Sequence, residues 1–191
     1  MSFFERSVLS EFVYPESTRT VPTRLILINY WLYQRQVFYF AAGRLFLTGD
    51  NGSGKSTALT AAITSLLDGD TSPSRMDPFG GGKRNLMYYL LGNSEAGFEY
   101  DARRAYLALE FRQPDGRFIT VGLGLQASKG SRELQKWGFA LPDRVEIDGG
   151  LMLVDANNEP LSKRQLRDAL DRKSTRLNSS HSTLSRMPSS A

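Results

Sequence analysis

The sequence predicts an α/β domain with a substantial antiparallel β portion. Three observations predict it: a nearly unbroken apolar run over residues 24–32, a strand–glycine-rich loop–helix order over residues 44–67, and two alternating runs joined by a turn. With 191 residues, 40% of them hydrophobic, the chain is long enough to bury a core. We therefore expect one domain, or one lobe of a larger domain.

The first half of the chain contains three predicted strands. The run over residues 24–32 is typical of a buried strand, and residues 36–40 form a second candidate. Gly43 marks a turn, and residues 44–48 predict a third strand that leads directly into the glycine-rich loop. A helix should follow and end at Asp68 and Gly69, because apolar residues then recur at helical spacing: Leu59, Ala62, Ile63, Leu66 and Leu67.

The second half predicts a hairpin and a C-terminal helix. Residues 70–99 suggest loops with one short helix over residues 86–91. The alternating runs at 104–111 and 117–125 flank a turn at residues 114–116, so they should pair as a hairpin with one covered face. Ser162 stands three residues before Gln165, a spacing that predicts a helix start. The helix should bury Leu166, Ala169 and Leu170 and end just beyond Arg172.

Three segments are predicted: an N-terminal extension (1–23), a folded lobe (24–172) and a C-terminal tail (173–191). The tail is rich in Ser and Thr, has no acidic residue and lacks periodicity. It resembles a translated sequencing-adapter or vector read-through, with a natural disordered tail as the alternative. We expect residues 173–191 to pack against nothing. If the tail is a read-through, we expect the natural protein to continue past Arg172.

Composition excludes several classes of protein. There is no cysteine, which excludes a disulfide scaffold and a thiolate metal site. The formal net charge is +4, and three of the basic residues lie in the tail, so the remaining body carries only +1 and does not by itself indicate nucleic-acid binding. Neither a signal-peptide core nor a membrane-length apolar run is present, and a cytoplasmic protein is expected.

Residues 49–56 fill the pattern G-x-x-x-x-G-K-[ST] of a P-loop, or Walker A motif. Glycines allow the backbone to curl so that successive N–H groups point at phosphate oxygens, and the following helix directs its positive end at the same anion. Lys55 should reach the β and γ phosphates, and the Ser56 hydroxyl should bind Mg²⁺. The cofactors are therefore ATP and Mg²⁺, held by Gly49, Asn51, Gly52, Ser53, Gly54, Lys55, Ser56 and Thr57.

A P-loop ATPase also needs an acid that holds the metal. Asp155 follows four apolar residues, as a Walker B aspartate does, but Gly149 and Gly150 before the run and two asparagines after it favour a short hairpin. Two other features are weaker. Residues 80–84 suggest either a phosphate-contacting loop or a solvated one, and Trp137 and Phe139 suggest core rather than a stacking platform.

The motif series over residues 24–172 resembles the N-terminal head segment of SMC-like, ABC-type ATPases. The resemblance is strongest to the SMC-like subunit of Wadjet plasmid-defence systems, JetC, and more distant to MukB and SbcC. It rests on residues 43–56 (GRLFLTGDNGSGKS) and on shorter matches: 66–70 (LLDGD), 75–81 (RMDPFGG), 88–92 (YYLLG), 107–111 (LALEF) and 121–127 (VGLGLQA). Asp50 and Asn51 stand where a Pro-Asn pair is common in the family, which leaves the phosphate cradle intact.

The resemblance implies an ATPase head whose N- and C-terminal halves are separated by a long coiled coil. It implies two heads that dimerise around two ATP molecules, kleisin and winged-helix partners, DNA as the macromolecule handled, and a nucleoid-associated location. The signature motif, the Walker B strand and the catalytic glutamate belong to the C-terminal half, so no catalytic residue is expected here. Alternatives are a SbcC- or RecF-like repair ATPase fragment, a non-catalytic nucleotide-binding module, or a stand-alone P-loop kinase or GTPase, although the guanine-reading motif Asn-Lys-x-Asp is missing.

Overall fold

The computed structural model describes residues 17–66, 86–92, 97–131, 133–147 and 150–184, with side chains of the last helix described through Lys173. The strands within these residues are β1 (Val21–Tyr30), β2 (Tyr33–Tyr39), β3 (Ala102–Arg112), β4 (Phe118–Ser128), β5 (Gln135–Leu141), β6 (Glu146–Ile147) and β7 (Gly150–Leu151). The first five form one sheet, entirely antiparallel, in the order β2-β1-β3-β4-β5. Strands β6 and β7 form a separate two-stranded ribbon.

Three helices accompany the sheet in the described part of the chain: α1 (Lys55–Leu66), α2 (Leu86–Leu91) and α3 (Lys163–Leu184). The predicted helix over residues 86–91 is confirmed, as is the start of α1 at the end of the glycine-rich loop. The capping box of α3 is also confirmed, because Gln165 N–H donates to Ser162 Oγ (3.3 Å) and Ser162 N–H donates to Gln165 Oε1 (2.8 Å). No helix among the described residues is long and apolar enough to cross a membrane.

The sheet is covered on both faces, since side chains alternate between two hydrophobic clusters. One face of β1 and β3, with Leu25, Leu27 and Leu107, packs with α1 and α2. The other face, with Ile26 and Tyr106, packs with the ribbon region and with α3. The predicted β3–β4 hairpin is confirmed by its register, but the expectation of one covered face is wrong.

The predicted strand over residues 44–48 is wrong within the described part of the chain. Arg44 forms only an isolated bridge with Ala41 across the turn at Gly43, and no ladder extends beyond it. Phe46 is 84% exposed. An apolar run forms a strand only where a neighbouring strand supplies hydrogen bonds. Both edges of the nearby β1 are already paired, one with β2 and the other with β3.

Helix α1 packs through its small side chains. Thr57, Ala58, Thr60, Ala61 and Thr64 are buried, and this brings the helix close to the sheet. The leucine-bearing face predicted from the spacing lies on the outer side instead, with Leu59 and Leu66 each more than half exposed. The predicted end of α1, at Asp68 and Gly69, lies outside the described residues.

Helix α3 buries Leu166 and Ala169 as predicted, but it does not end near Arg172. It continues to Leu184. The expectation that residues from 173 onward contact nothing is wrong for Lys173, whose ammonium donates to Glu146 O (2.6 Å) and to Arg144 O and forms an ion pair with Asp143 (3.1 Å). The assignment of residues 173–191 as a separate segment stays a prediction.

A buried charge cluster joins β1, β3 and the loop before β6. The Glu110 side chain is fully buried and accepts hydrogen bonds from Arg24 Nε (3.0 Å) and from Arg144 Nε and Nη2 (3.1 Å each). Thr23 Oγ1 also donates to it at 2.8 Å, and Arg24 extends the cluster to Glu146 at 2.6 Å. Each oxygen of this buried carboxylate therefore has a cationic partner, which a buried charge requires.

The cluster shifts the pKa values of Glu110 and Arg24 in the directions that favour their charged forms. Burial by itself would raise the pKa of Glu110, but the hydrogen bonds and charges of Arg144 and Arg24 outweigh burial and hold this pKa below its ordinary value. Burial likewise disfavours charged Arg24, yet Glu110 and Glu146 raise the pKa of that guanidinium above its ordinary value. At neutral pH Glu110 and Arg24 are therefore both charged.

We expect Glu110→Gln to lower the free energy of unfolding by about 3–5 kcal/mol near pH 7, because Arg24 would lose its buried carboxylate partner. The folded pKa of Glu110 lies below the unfolded value of about 4.3, so its stabilisation is present above that value and is lost as the pH falls through the folded pKa. Urea unfolding of both proteins between pH 7 and 3 should therefore show curves that converge in acid. Asp115→Asn, in an exposed pair with Arg117, is the control and should change little. Parallel curves for Glu110→Gln would contradict this role.

Candidate phosphate-binding site

The glycine-rich loop has the curled backbone that the motif predicts. Gly49, Gly52 and Gly54 have φ angles of 140°, 86° and 91°, all in the region that favours glycine. Ser53 N–H donates to Asp50 O at 3.2 Å and closes the turn. A Cβ atom at Gly49 would lie 2.9 Å from Ser53 Oγ, and one at Gly54 would overlap the Tyr33 hydroxyl. The curl therefore depends on glycine at these two positions for space as well as for φ.

The Lys55 side chain folds back over this loop. Its ammonium donates to Gly49 O and Asp50 O, both at 2.7 Å, and to Ser53 Oγ at 3.3 Å. Three oxygens along the loop thus place the positive charge above the curled backbone. An anion that bound within this curl would meet a cation already located there.

The start of α1 adds main-chain donors to the same place. Ala58 N–H donates to Gly54 O at 3.0 Å, so the amides of Lys55, Ser56 and Thr57 precede this first helical bond. The helix is 12 residues long, and its dipole directs positive potential at the loop. The ammonium, the amides and the dipole all favour negative charge in one location.

The eight predicted residues all lie within residues 49–57, but their side chains face different surroundings. Asn51, Ser53 and Ser56 are exposed, so the Ser56 hydroxyl is accessible to a metal ion. Thr57 is only 6% exposed and faces the core, so its main chain rather than its hydroxyl could contact a ligand. The donor set of amides, one ammonium and one hydroxyl fits a polyphosphate with Mg²⁺, which prefers oxygen ligands.

Asp155 lies on the other side of the sheet from α1. The apolar residues before it, Leu151 to Leu153, belong to the cluster that packs on the far face, whereas Ala58 and Ala61 belong to the near one. Asp155 Oδ1 accepts the N–H groups of Asn157 (2.8 Å) and Glu159 (2.9 Å). Val154 bridges to Pro160 as an antiparallel pair, so the hairpin interpretation is confirmed and Asp155 serves as a turn residue.

Three other features were named from the sequence: Trp137, Phe139 and residues 80–84. Trp137 is 9% exposed, packs edge-on against Tyr106 (6.0 Å between centroids) and covers Gly124, so the core interpretation is confirmed. Phe139 packs over Gly122 in the same way. Residues 80–84 lie outside the described residues.

One residue at the site was not predicted. Tyr33, the first residue of β2, donates its hydroxyl hydrogen to Gly54 O at 3.2 Å. Burial raises its pKa, so it is neutral and able to donate over the physiological range. It lies 21 positions before Gly54 among several other aromatic residues, and no local pattern distinguishes it from them.

A glycine curl, a lysine held over it and the start of a helix together define the phosphate-binding loop of nucleotide-binding proteins. The chain belongs to the AAA domain family, whose family model matches residues 24–183. Membership of this family makes the chain an ATPase-like, nucleotide-binding domain. No curated protein matches the sequence significantly.

Proposed function

We propose that this chain is the ATP-binding N-terminal segment of an SMC-like ATPase head whose parent protein acts on DNA. The observation that carries the nucleotide-binding part is the Lys55 ammonium, held by Gly49 O and Asp50 O over a curled loop at the start of α1. Family membership supports an ATPase-like domain, and the ordered motif series supports the SMC-like assignment.

Each residue of the loop has a role in this proposal. The amides of the loop and of the first turn of α1 bind phosphate oxygens, Lys55 neutralises the β and γ phosphates, and Ser56 holds Mg²⁺. Bound Mg²⁺ would supply charge neutralisation at the phosphates. Asp155 takes no part, because it lies across the sheet and its Oδ1 is occupied by two backbone amides.

Exposed apolar side chains before the loop and along α1 support a head that is completed by another polypeptide segment. Phe46 is 84% exposed, and Leu59 and Leu66 are 56% and 58% exposed on the outer side of α1. Leu59 and Leu66 are seven positions apart and therefore lie on the same face of α1, and an exposed apolar face marks a contact surface. The proposed occupant is the C-terminal half of the head, which would bring the signature motif and the metal-holding and catalytic acids.

The proposal extends to the assembly that the motif resemblance implies. Two complete heads would dimerise around two ATP molecules, with kleisin and winged-helix subunits as partners and DNA bound by the whole complex. The parent protein would act in the cytoplasm at the nucleoid, in plasmid defence or chromosome maintenance.

Lys55→Ala should weaken ATP binding by roughly ten- to a hundredfold in a protein that contains both halves of the head. The reason is the loss of a charge-assisted contact worth about 1.5–3 kcal/mol. Titration calorimetry with MgATP measures the effect. Lys129→Ala, at an exposed lysine paired with Asp101, removes the same charge elsewhere and should leave affinity unchanged. Equal affinity of wild type and Lys55→Ala would refute the site.

ATP hydrolysis should require the complete head. The present chain supplies the phosphate cradle, while the acids that hold the metal and position water are proposed to come from the C-terminal half of the head. Phosphate release by the complete head should rise more than linearly with protein concentration while dimers are scarce. Robust Lys55-dependent hydrolysis by this chain alone, abolished by Asp155→Asn, would instead make Asp155 the metal-holding acid.

A further inference from the structure

We propose that Tyr33 is a positioning residue that orients the Lys55 amide toward bound phosphate. This inference rests on the proposed function and adds a residue outside the motif to the same site. One carbonyl has two donors: Gly54 O accepts hydrogen bonds from Ala58 N–H at 3.0 Å and from the Tyr33 hydroxyl at 3.2 Å. A carbonyl oxygen has two lone pairs, so both bonds can form together.

These two bonds fix a peptide plane. The Gly54 carbonyl and the Lys55 N–H belong to one rigid, trans peptide group, so they point in opposite directions. Whatever fixes the carbonyl therefore fixes the amide. The bond from Ala58 alone leaves the first peptide of α1 free to tilt, as helix ends commonly do. The second bond, from Tyr33, removes that freedom.

Tyr33 is itself held rigidly by the turn before it. Trp31 adopts a φ of 55°, which is uncommon for a bulky residue, and its N–H donates to Tyr89 O at 2.7 Å. Its ring stacks on Tyr88 with centroids 4.7 Å apart. Tyr33 then packs edge-on against Phe38 at 5.7 Å. The phenol is thus anchored through α2 and β2, independently of the glycine-rich loop.

The contact also explains why position 54 must be glycine. The Tyr33 hydroxyl occupies the space where a Cβ of residue 54 would stand, whereas no described residue lies within 4 Å of a Cβ at Gly52. Close approach of the phenol to the backbone is possible only because Gly54 lacks a side chain. Tyr33 and Gly54 therefore act as a pair.

The test is Tyr33→Phe in the full-length protein, with MgATP and tripolyphosphate as probes. Loss of one neutral hydrogen bond should weaken both probes by the same factor, about two- to tenfold, since the affected amide contacts only phosphate. The thermal melting curve should stay close to that of the wild type. Tyr39→Phe, at the opposite end of β2, is the matched control and should bind both probes as the wild type does.

The outcomes separate this inference from the proposed function. If the wild type binds neither probe, the proposed function fails. If the wild type binds both and Tyr33→Phe binds them equally well, the positioning role is wrong and the site stands. A loss for MgATP alone would place Tyr33 against the nucleoside and would also overturn the inference. A large drop in melting temperature would show that the hydroxyl serves the fold and would refute a specific role in positioning.

Discussion

The burial of β1 on both faces is the constraint on which the rest of the structure depends. Its neighbours are β2 and β3, and its side chains alternate between the two hydrophobic clusters. One cluster holds α1 and α2, and the other holds the ribbon and α3. Near its first residues β1 carries Arg24, which pairs with Glu110 in the ion cluster. After its last residue the chain turns and reaches Tyr33 at the start of β2. The same strand therefore holds the two clusters together and positions Tyr33 at the candidate site.

Features set by neighbouring residues were predictable from sequence. The curl at Gly49–Gly54 needs glycine, the capping box needs Ser162 and Gln165, and the β3–β4 turn needs a short polar segment. In each case the partners lie within a few positions of one another. The glycine-rich loop belongs to this group, which is why its place before α1 was predicted correctly.

Features set by distant partners were not predictable. Glu110 reads as an isolated acid in an apolar strand, because its cationic partners lie 86 and 34 positions away. Residues 44–48 look like a strand, yet pairing depends on a neighbour that the described residues do not supply. In α1 the spacing identifies an apolar face correctly but cannot tell which face meets the sheet. The small side chains of Thr57 and Ala61 pack there, and Leu59 is left outside.

NMR of the ¹⁵N-labelled chain titrated with MgATP would show whether the curled loop binds nucleotide phosphate. Saturable shifts should centre on the amides of Gly52, Gly54, Lys55 and Ser56, because these groups would meet the phosphates. The Asp155 turn, on the opposite side of the sheet, should not respond. Saturable shifts confined to the surroundings of Asp155, or no shifts in the loop at millimolar nucleotide, would contradict phosphate binding by the loop.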